Sequence, residues 1–223
     1  MNGKINAAKL ALNLVKDGTV LGIGSGTTVE VFLNMLGEKI KNEGIKIYGI
    51  PSSYQSHFAA LRNGIKIVDL AEYPQADICI DSADQVDANM NCIKGGGAAL
   101  TREKIVAKAS KKVVLMVEER KLSEKLNAKV PVEVLPFAYG FVYKKLGKMA
   151  KSVELRTGSG KVGPIITDNG NFIIDCDFGV IDNAEELEKE LKLISGVIES
   201  GIFPAKLIDA VIVGSQHSAK FLD

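Results

Sequence analysis

The feature that most constrains this chain is a succession of short runs that are apolar throughout, separated by stretches with apolar residues at helical spacing. Thr19 to Ile23, Ile45 to Ile50, Ile65 to Leu70, Ile78-Cys79-Ile80 and Val113 to Val117 read as strands. Ala7 to Leu14, Val29 to Asn42, Tyr54 to Asn63 and Ala98 to Ser110 read as helices. A strand with one wet face alternates apolar and polar residues, whereas a strand apolar throughout must be covered on both faces. The pattern predicts an α/β domain with a parallel sheet between helices. In such sheets ligands bind at the carboxyl ends of the strands. Those ends are Gly22-Gly24, Pro51-Ser53, Asp81-Asp84 and Glu118-Lys121.

Around Lys129 the rhythm changes. Val130 to Leu135 reads as a strand, Phe137 to Lys148 as a helix and Ser152 to Arg156 as a strand. Ile165-Ile166 and Phe172-Ile173-Ile174 flank Asp168-Asn169-Gly170, and an Asn-Gly step predicts a hairpin. Ala184 to Leu193 reads as a helix and Val197 to Ser200 as a strand, a β-α-β-β-α-β order like that of ferredoxin-like units. Asp209 to Gly214 is again strand-like and is expected to return to the first domain. The expected fold class is α/β, with a parallel-sheet, Rossmann-like main domain (1–128 plus 205–223) and a smaller α+β ferredoxin-like domain (129–204).

Composition excludes several functions. With 28 Lys+Arg against 27 Asp+Glu, the chain is no general polyanion binder, so neither nucleic acid nor an anionic membrane is an expected partner. Met1-Asn2-Gly3-Lys4 leads into an amphipathic segment without a signal-peptide run, and no stretch has transmembrane length. Cys79, Cys92 and Cys176 are odd in number and lack C-x-x-C spacing, which predicts buried free thiols and a cytoplasmic location. His57 and His217 lie far apart without ligand-like neighbours, so no metal site is expected.

Three segments can carry chemistry. Gly22-Ile23-Gly24-Ser25-Gly26-Thr27-Thr28 joins a strand to a helix, where backbone N–H groups and the helix N-terminus can face an anion. It has no lysine for a Walker loop, and Thr27 occupies the last glycine position of a dinucleotide fingerprint. A tight turn with a helix cap is the ordinary alternative. Asp81-Ser82-Ala83-Asp84-Gln85-Val86-Asp87 follows a buried strand, where acids cost desolvation unless something uses them. Turn-capping by aspartate is the ordinary account there. Lys94-Gly95-Gly96-Gly97 precedes the helix that carries Glu103. Three consecutive glycines have a high entropy cost, which a flexible linker or a close approach of backbone to ligand would explain. Glu103 taken alone is an ordinary partner for the helix dipole.

Together, Gly22 to Thr28, Asp81 to Asp87 and Lys94-Gly-Gly-Gly-Ala-Ala-Leu-Thr-Arg-Glu-Lys104 resemble the type A ribose-5-phosphate isomerases. The resemblance extends to the Thr167-Asp168-Asn169-Gly170-Asn171 turn and so to nearly the whole chain. It implies an aldose-ketose isomerase of the non-oxidative pentose phosphate pathway, interconverting ribose 5-phosphate and ribulose 5-phosphate without metal or cofactor. It further implies a homodimer or homotetramer. Glu103 matches the family's base, which moves a proton between the first two sugar carbons through an enediolate. Lys94 with Gly95, Gly96 and Gly97 would hold the negative oxygen. Asp81 and Asp84 would hold sugar hydroxyls, with Asp81 assisting ring opening. Ser25, Gly26, Thr27 and Thr28 match the substrate loop, Ser82 and Ala83 of the acidic segment are expected to bind substrate, and Lys121 matches a ligand-contacting lysine.

Two positions depart from the family. Its acidic segment usually reads Asp-Gly-Ala-Asp-Glu, where this chain has Ser82 and Gln85. Ser82 is expected to occupy a backbone angle easier for glycine. Gln85 removes a negative charge near the acidic pair. The rival readings are a CoA-transferase-like enzyme of related fold and a sugar-phosphate sensor. The first leaves the Lys94 to Lys104 run unexplained, and the second normally carries a DNA-binding module for which this chain has no room.

Overall fold

In a computed structural model, which describes residues 2–158, 160 and 162–222, the wholly apolar runs become neighbouring strands. Met1, the first residue of the amino-terminal segment read above, lies outside the described residues. The chain begins with α1 (Asn2–Leu12), β1 (Val20–Ile23), α2 (Thr27–Glu43), β2 (Tyr48–Pro51), α3 (Tyr54–Arg62), β3 (Lys66–Ile67) and β4 (Ile78–Ser82). Two short strands, β5 (Gln85–Val86) and β6 (Cys92–Ile93), precede α4 (Leu100–Lys108) and β7 (Val113–Glu118). Then come β8 (Val130–Val134), α5 (Tyr139–Leu146), β9 (Ser152–Leu155), β10 (Phe172–Asp177), α6 (Ala184–Lys192) and β11 (Val197–Ser200). The last strands are β12 (Ile202–Phe203), β13 (Ala210–Gly214) and β14 (Ala219–Phe221).

These elements group into two compact units, one of residues 1–83, 102–121 and 206–223, the other of 84–101 and 122–205. The sequence places 84–101, 122–128 and 205 with the main domain. The contacts group these residues with the second unit: β6 pairs β5 and β12, and Ile93, Leu126 and Ile202 share that unit's core.

The first unit is α/β, with a mainly parallel sheet in the order β14-β13-β7-β4-β1-β2-β3, β14 alone running antiparallel. Helix α2 shows why it folds as it does: Val29, Phe32, Leu33 and Leu36 fall on one face and are all buried. Burying a side chain such as Phe32 contributes roughly 1.5–3 kcal/mol. The helix stops at Gly44, whose φ of 70° lets its N–H turn back to the Ile40 carbonyl. Strand β3 is shorter than expected, two residues at the sheet edge. Gly22 has a steric role: a Cβ there would come within 2.7 Å of Val106, so its absence lets α4 lie directly on β1.

A polar clasp ties the strand beginnings. Asp77 accepts from Lys111 Nζ at 2.8 Å and from the Val20 N–H at 2.9 Å. The Lys111 hydrogen bond, then that from Val20, holds the Asp77 carboxyl below the usual carboxylate range. A depressed folded-state pKa contributes stability above the unfolded value, and that contribution is lost as pH falls through the folded one. Asp77→Asn is therefore expected to melt below wild type at pH 7, with the gap closing below about pH 3, near the ordinary carboxylate range. Thermal denaturation from pH 2 to 8 would show it, and a gap unchanged at low pH would refute it.

In the second unit, β8-α5-β9-β10-α6-β11 gives a four-stranded antiparallel sheet ordered β11-β8-β10-β9, and β12-β6-β5 forms a small second sheet. Val142 and Leu146 of α5 and Leu191 of α6 pack on Val132, Val134 and Ile174. The expected pairing of Ile165-Ile166 with Phe172-Ile174 does not form. Strand β10 pairs β9 instead, Ile165 donates to the Arg156 carbonyl, and the Asn-Gly turn closes locally through Thr167 and Asn171. All three cysteines are free and buried, as expected, and burial with Asp175 nearby pushes the Cys176 thiol up to about 12. No described helix is long and apolar enough to cross a membrane.

Candidate active site

In the first unit the carboxyl ends of β1, β2 and β4 bring three loops together. The β1 loop turns at Gly26, whose φ of 102° places it just ahead of α2, and its N–H donates to Gln55 Oε1 at 2.9 Å. Ser25 hydroxyl meets those of Ser52 and Ser53 at 2.9 and 2.6 Å, and Ser53 caps α3. Thr28 is buried, and Thr27 is exposed with Lys4 Nζ 2.7 Å from its hydroxyl. The loop thus ends on a helix N-terminus with a cation beside it, an arrangement that favours an anion.

Asp81 is the penultimate residue of β4, at 1% exposure. Its Oδ1 accepts from the Ser25 N–H at 3.2 Å and the Ser82 N–H at 2.7 Å. A Cβ on Gly24 would overlap this carboxylate, so the glycine makes room for the acid. Glu103 stands in the first turns of α4 at 5% exposure. Buried acids of this kind have a desolvation cost that surface turn-capping does not explain. Ala83 is buried, and Lys121 lies partly buried after β7. A cavity of about 450 Å³ elsewhere in this unit is lined by Ile50, Pro51, Val68, Arg102 and Ile105. Its walls also carry His57, Asp69 and Glu72, but none of Asp81, Asp84 and Glu103 and none of the loop glycines.

In the second unit Asp84 and the glycine run meet. Asp84 Oδ2 accepts from the Gly96 N–H at 2.8 Å, and its own N–H donates to the Ile93 carbonyl. Lys94 is 2% exposed, with its Nζ 5.4 Å from the Phe203 ring centre. Gly95 has φ of 101°, a conformation that favours glycine, and a Cβ there would strike Leu100. Gly96 and Gly97 are exposed. Asp87, by contrast, accepts from the N–H groups of Asn89 and Asn91 and builds a turn, its ordinary role.

The two departures have local accounts. Ser82 does not take a glycine-like angle; among the described residues only Met90 and Ala98 have positive φ without being glycine. The expectation fails because Ser82 is still in extended β4. Gln85 accepts from the Asn127 and Ala128 N–H groups and donates to Asn127 Oδ1 at 2.7 Å. A glutamate could make only the first two of these bonds.

Three polar residues escaped the sequence reading. Lys4 is one. Glu133, fully buried on β8, accepts from Thr101, Thr167, Asn169 and Asn171 at 2.5, 2.8, 3.0 and 2.8 Å. Four donors offset the cost of removing that carboxylate from water. The Thr167 to Asn171 turn therefore acts as a cover for Glu133, and the signal was a lone acid in Val130-Pro131-Val132-Glu133-Val134. Arg156 is the third, paired with Asp175. Among the described residues no group of His, Cys, Asp or Glu is placed to hold a metal ion.

Residues 48–218 match the family model of ribose 5-phosphate isomerase A (phosphoriboisomerase A). The chain is 70% identical over 223 residues to ribose-5-phosphate isomerase A of Archaeoglobus fulgidus, covering 99% of each. It superposes on ribose 5-phosphate isomerase A from Methanocaldococcus jannaschii with a TM-score of 0.94 at 44% identity, covering 99% of this chain and 97% of the other. A structure of D-ribose-5-phosphate isomerase in complex with phospho-erythronic acid gives the same score, identity and coverage. This chain therefore belongs to the ribose 5-phosphate isomerase A family.

Proposed function

We propose that the protein interconverts D-ribose 5-phosphate and D-ribulose 5-phosphate, a step of the non-oxidative pentose phosphate pathway, without a cofactor. The observation that carries this reading is the burial of Glu103 and Lys94, the acid and cation of one family run. A buried carboxylate is suited to take a carbon-bound proton, and a buried ammonium to hold the oxygen that becomes negative. Glu103 removes the proton from the second carbon of the open-chain aldose, giving an enediolate, and returns it to the first carbon. Lys94 with the N–H groups of Gly95 to Gly97 holds the enediolate oxygen. Asp81 and Asp84 hold hydroxyls, and Asp81 assists ring opening by proton transfer. Ser25 to Thr28 at the α2 N-terminus, with Lys4 and Lys121, hold the phosphate. Phospho-erythronic acid, bound by a relative, carries a carboxylate where the enediolate would carry its oxygens.

We also propose that the first unit's sheet is Rossmann-like and that β8-α5-β9-β10-α6-β11 is ferredoxin-like. Exposure of Phe137, Phe141 and Leu193 on the second unit supports assembly as a homodimer or homotetramer. The test is to mix purified protein with ribose 5-phosphate in excess EDTA and follow ketose formation. Turnover is expected. Tight binding without turnover would replace the isomerase reading with that of a sensor.

A further inference from the structure

A run of glycines has little preference of its own for one conformation, so an array of N–H donors built from it needs an outside hold. In the second unit that hold is a planar cation. Arg156 directly follows β9, and its Nε and Nη2 donate to the two carboxylate oxygens of Asp175 at 2.7 and 2.5 Å. This two-pronged pair fixes the guanidinium plane. Both side chains are largely buried, at 14% and 18% exposure. The remaining terminal nitrogen, Nη1, donates to the Gly95 carbonyl at 2.8 Å and the Gly96 carbonyl at 3.1 Å.

In a trans peptide the carbonyl and the following N–H point in opposite directions. With the Gly95 carbonyl turned toward Arg156, the Gly96 N–H must turn away, and there it meets Asp84 Oδ2. With the Gly96 carbonyl on the same nitrogen, the Gly97 N–H also turns away from Arg156.

We infer that Arg156, locked by Asp175, is a positioning residue for the isomerisation: it sets the peptide planes of Gly95 to Gly97, aiming the Gly96 N–H at Asp84 and the Gly97 N–H at the developing enediolate oxygen. The inference rests on the assignment of this loop to the oxyanion. Arg156 touches no reacting atom; it acts through the loop. A lysine can reach one carbonyl but cannot fork onto Asp175 and the loop together. Donors set for the transition state raise kcat, whereas substrate binding depends on them less.

The experiment compares wild type, Arg156→Lys and Asp175→Asn for kcat, KM, melting temperature and affinity for phospho-erythronic acid. Arg156→Lys is expected to lower kcat by about 10- to 10²-fold, the scale of a misplaced catalytic array, with KM changed only a few-fold. Affinity for phospho-erythronic acid falls in step with kcat. Asp175→Asn shows a smaller loss of the same kind. A purely structural brace would lower the melting temperature and leave kcat per folded molecule unchanged. Wild-type kcat in Arg156→Lys, or a loss confined to KM, overturns the inference alone. Absence of turnover in the wild type overturns the isomerase reading and this inference with it.

Discussion

Glutamine at position 103 is expected to lower kcat by about 10²- to 10⁴-fold, the range that a positioned general base contributes. The amide has nearly the carboxylate's shape, so the packing around Glu103 on α4 should survive and the melting temperature should change little. What it loses is the capacity to take a proton from carbon and give it back. Affinity for phospho-erythronic acid should therefore stay within a few-fold of wild type, since an anionic analogue asks for donors and not for a base. Steady-state kinetics with a binding isotherm separate the two quantities. A near-normal rate in Glu103→Gln would remove Glu103 from the base role.

Lys94→Met is expected to cost about 10²–10³ in kcat, comparable to removal of one donor from an oxyanion site. Methionine matches the lysine stem in length and apolar character, and it keeps contact with Phe203. The ammonium's charge, at 2% exposure, acts where water screens it little, so its loss is felt most when the substrate oxygen becomes negative. In contrast with Glu103→Gln, this variant should bind phospho-erythronic acid much more weakly. If Lys94→Met lost rate but kept that affinity, the lysine would act elsewhere than at the oxyanion.

Legibility of the fold tracked the length of the signal. Strands such as β7, with Val113 to Val117 all buried, announce themselves in any window. Strands β5, β6 and β12 have two residues each, too few to show a period, and their partners lie far along the chain. That is why residues 84–101 read in sequence as part of the main domain, although their contacts group them with the second unit. The Asn-Gly step marked a true turn, but what it joins was decided by Glu133, which gathers Thr167, Asn169 and Asn171. Periodicity treats such a residue as an interruption. Arg156 and Asp175 were invisible for the same reason: their meaning lies in a partner, which no local pattern specifies.

The interleaving of the two units also bears on how the protein comes into being. Strand β13 lies between β7 and β14, so the parallel sheet of the first unit waits for a strand that begins at Ala210. During synthesis the whole of 122–205 must emerge before β7, which ends at Glu118, gains that neighbour. Until then the edge of Val113 to Val117 is an apolar template open to other nascent chains. The yield of folded chain then depends on how long that edge stays open as well as on the stability of the finished sheet.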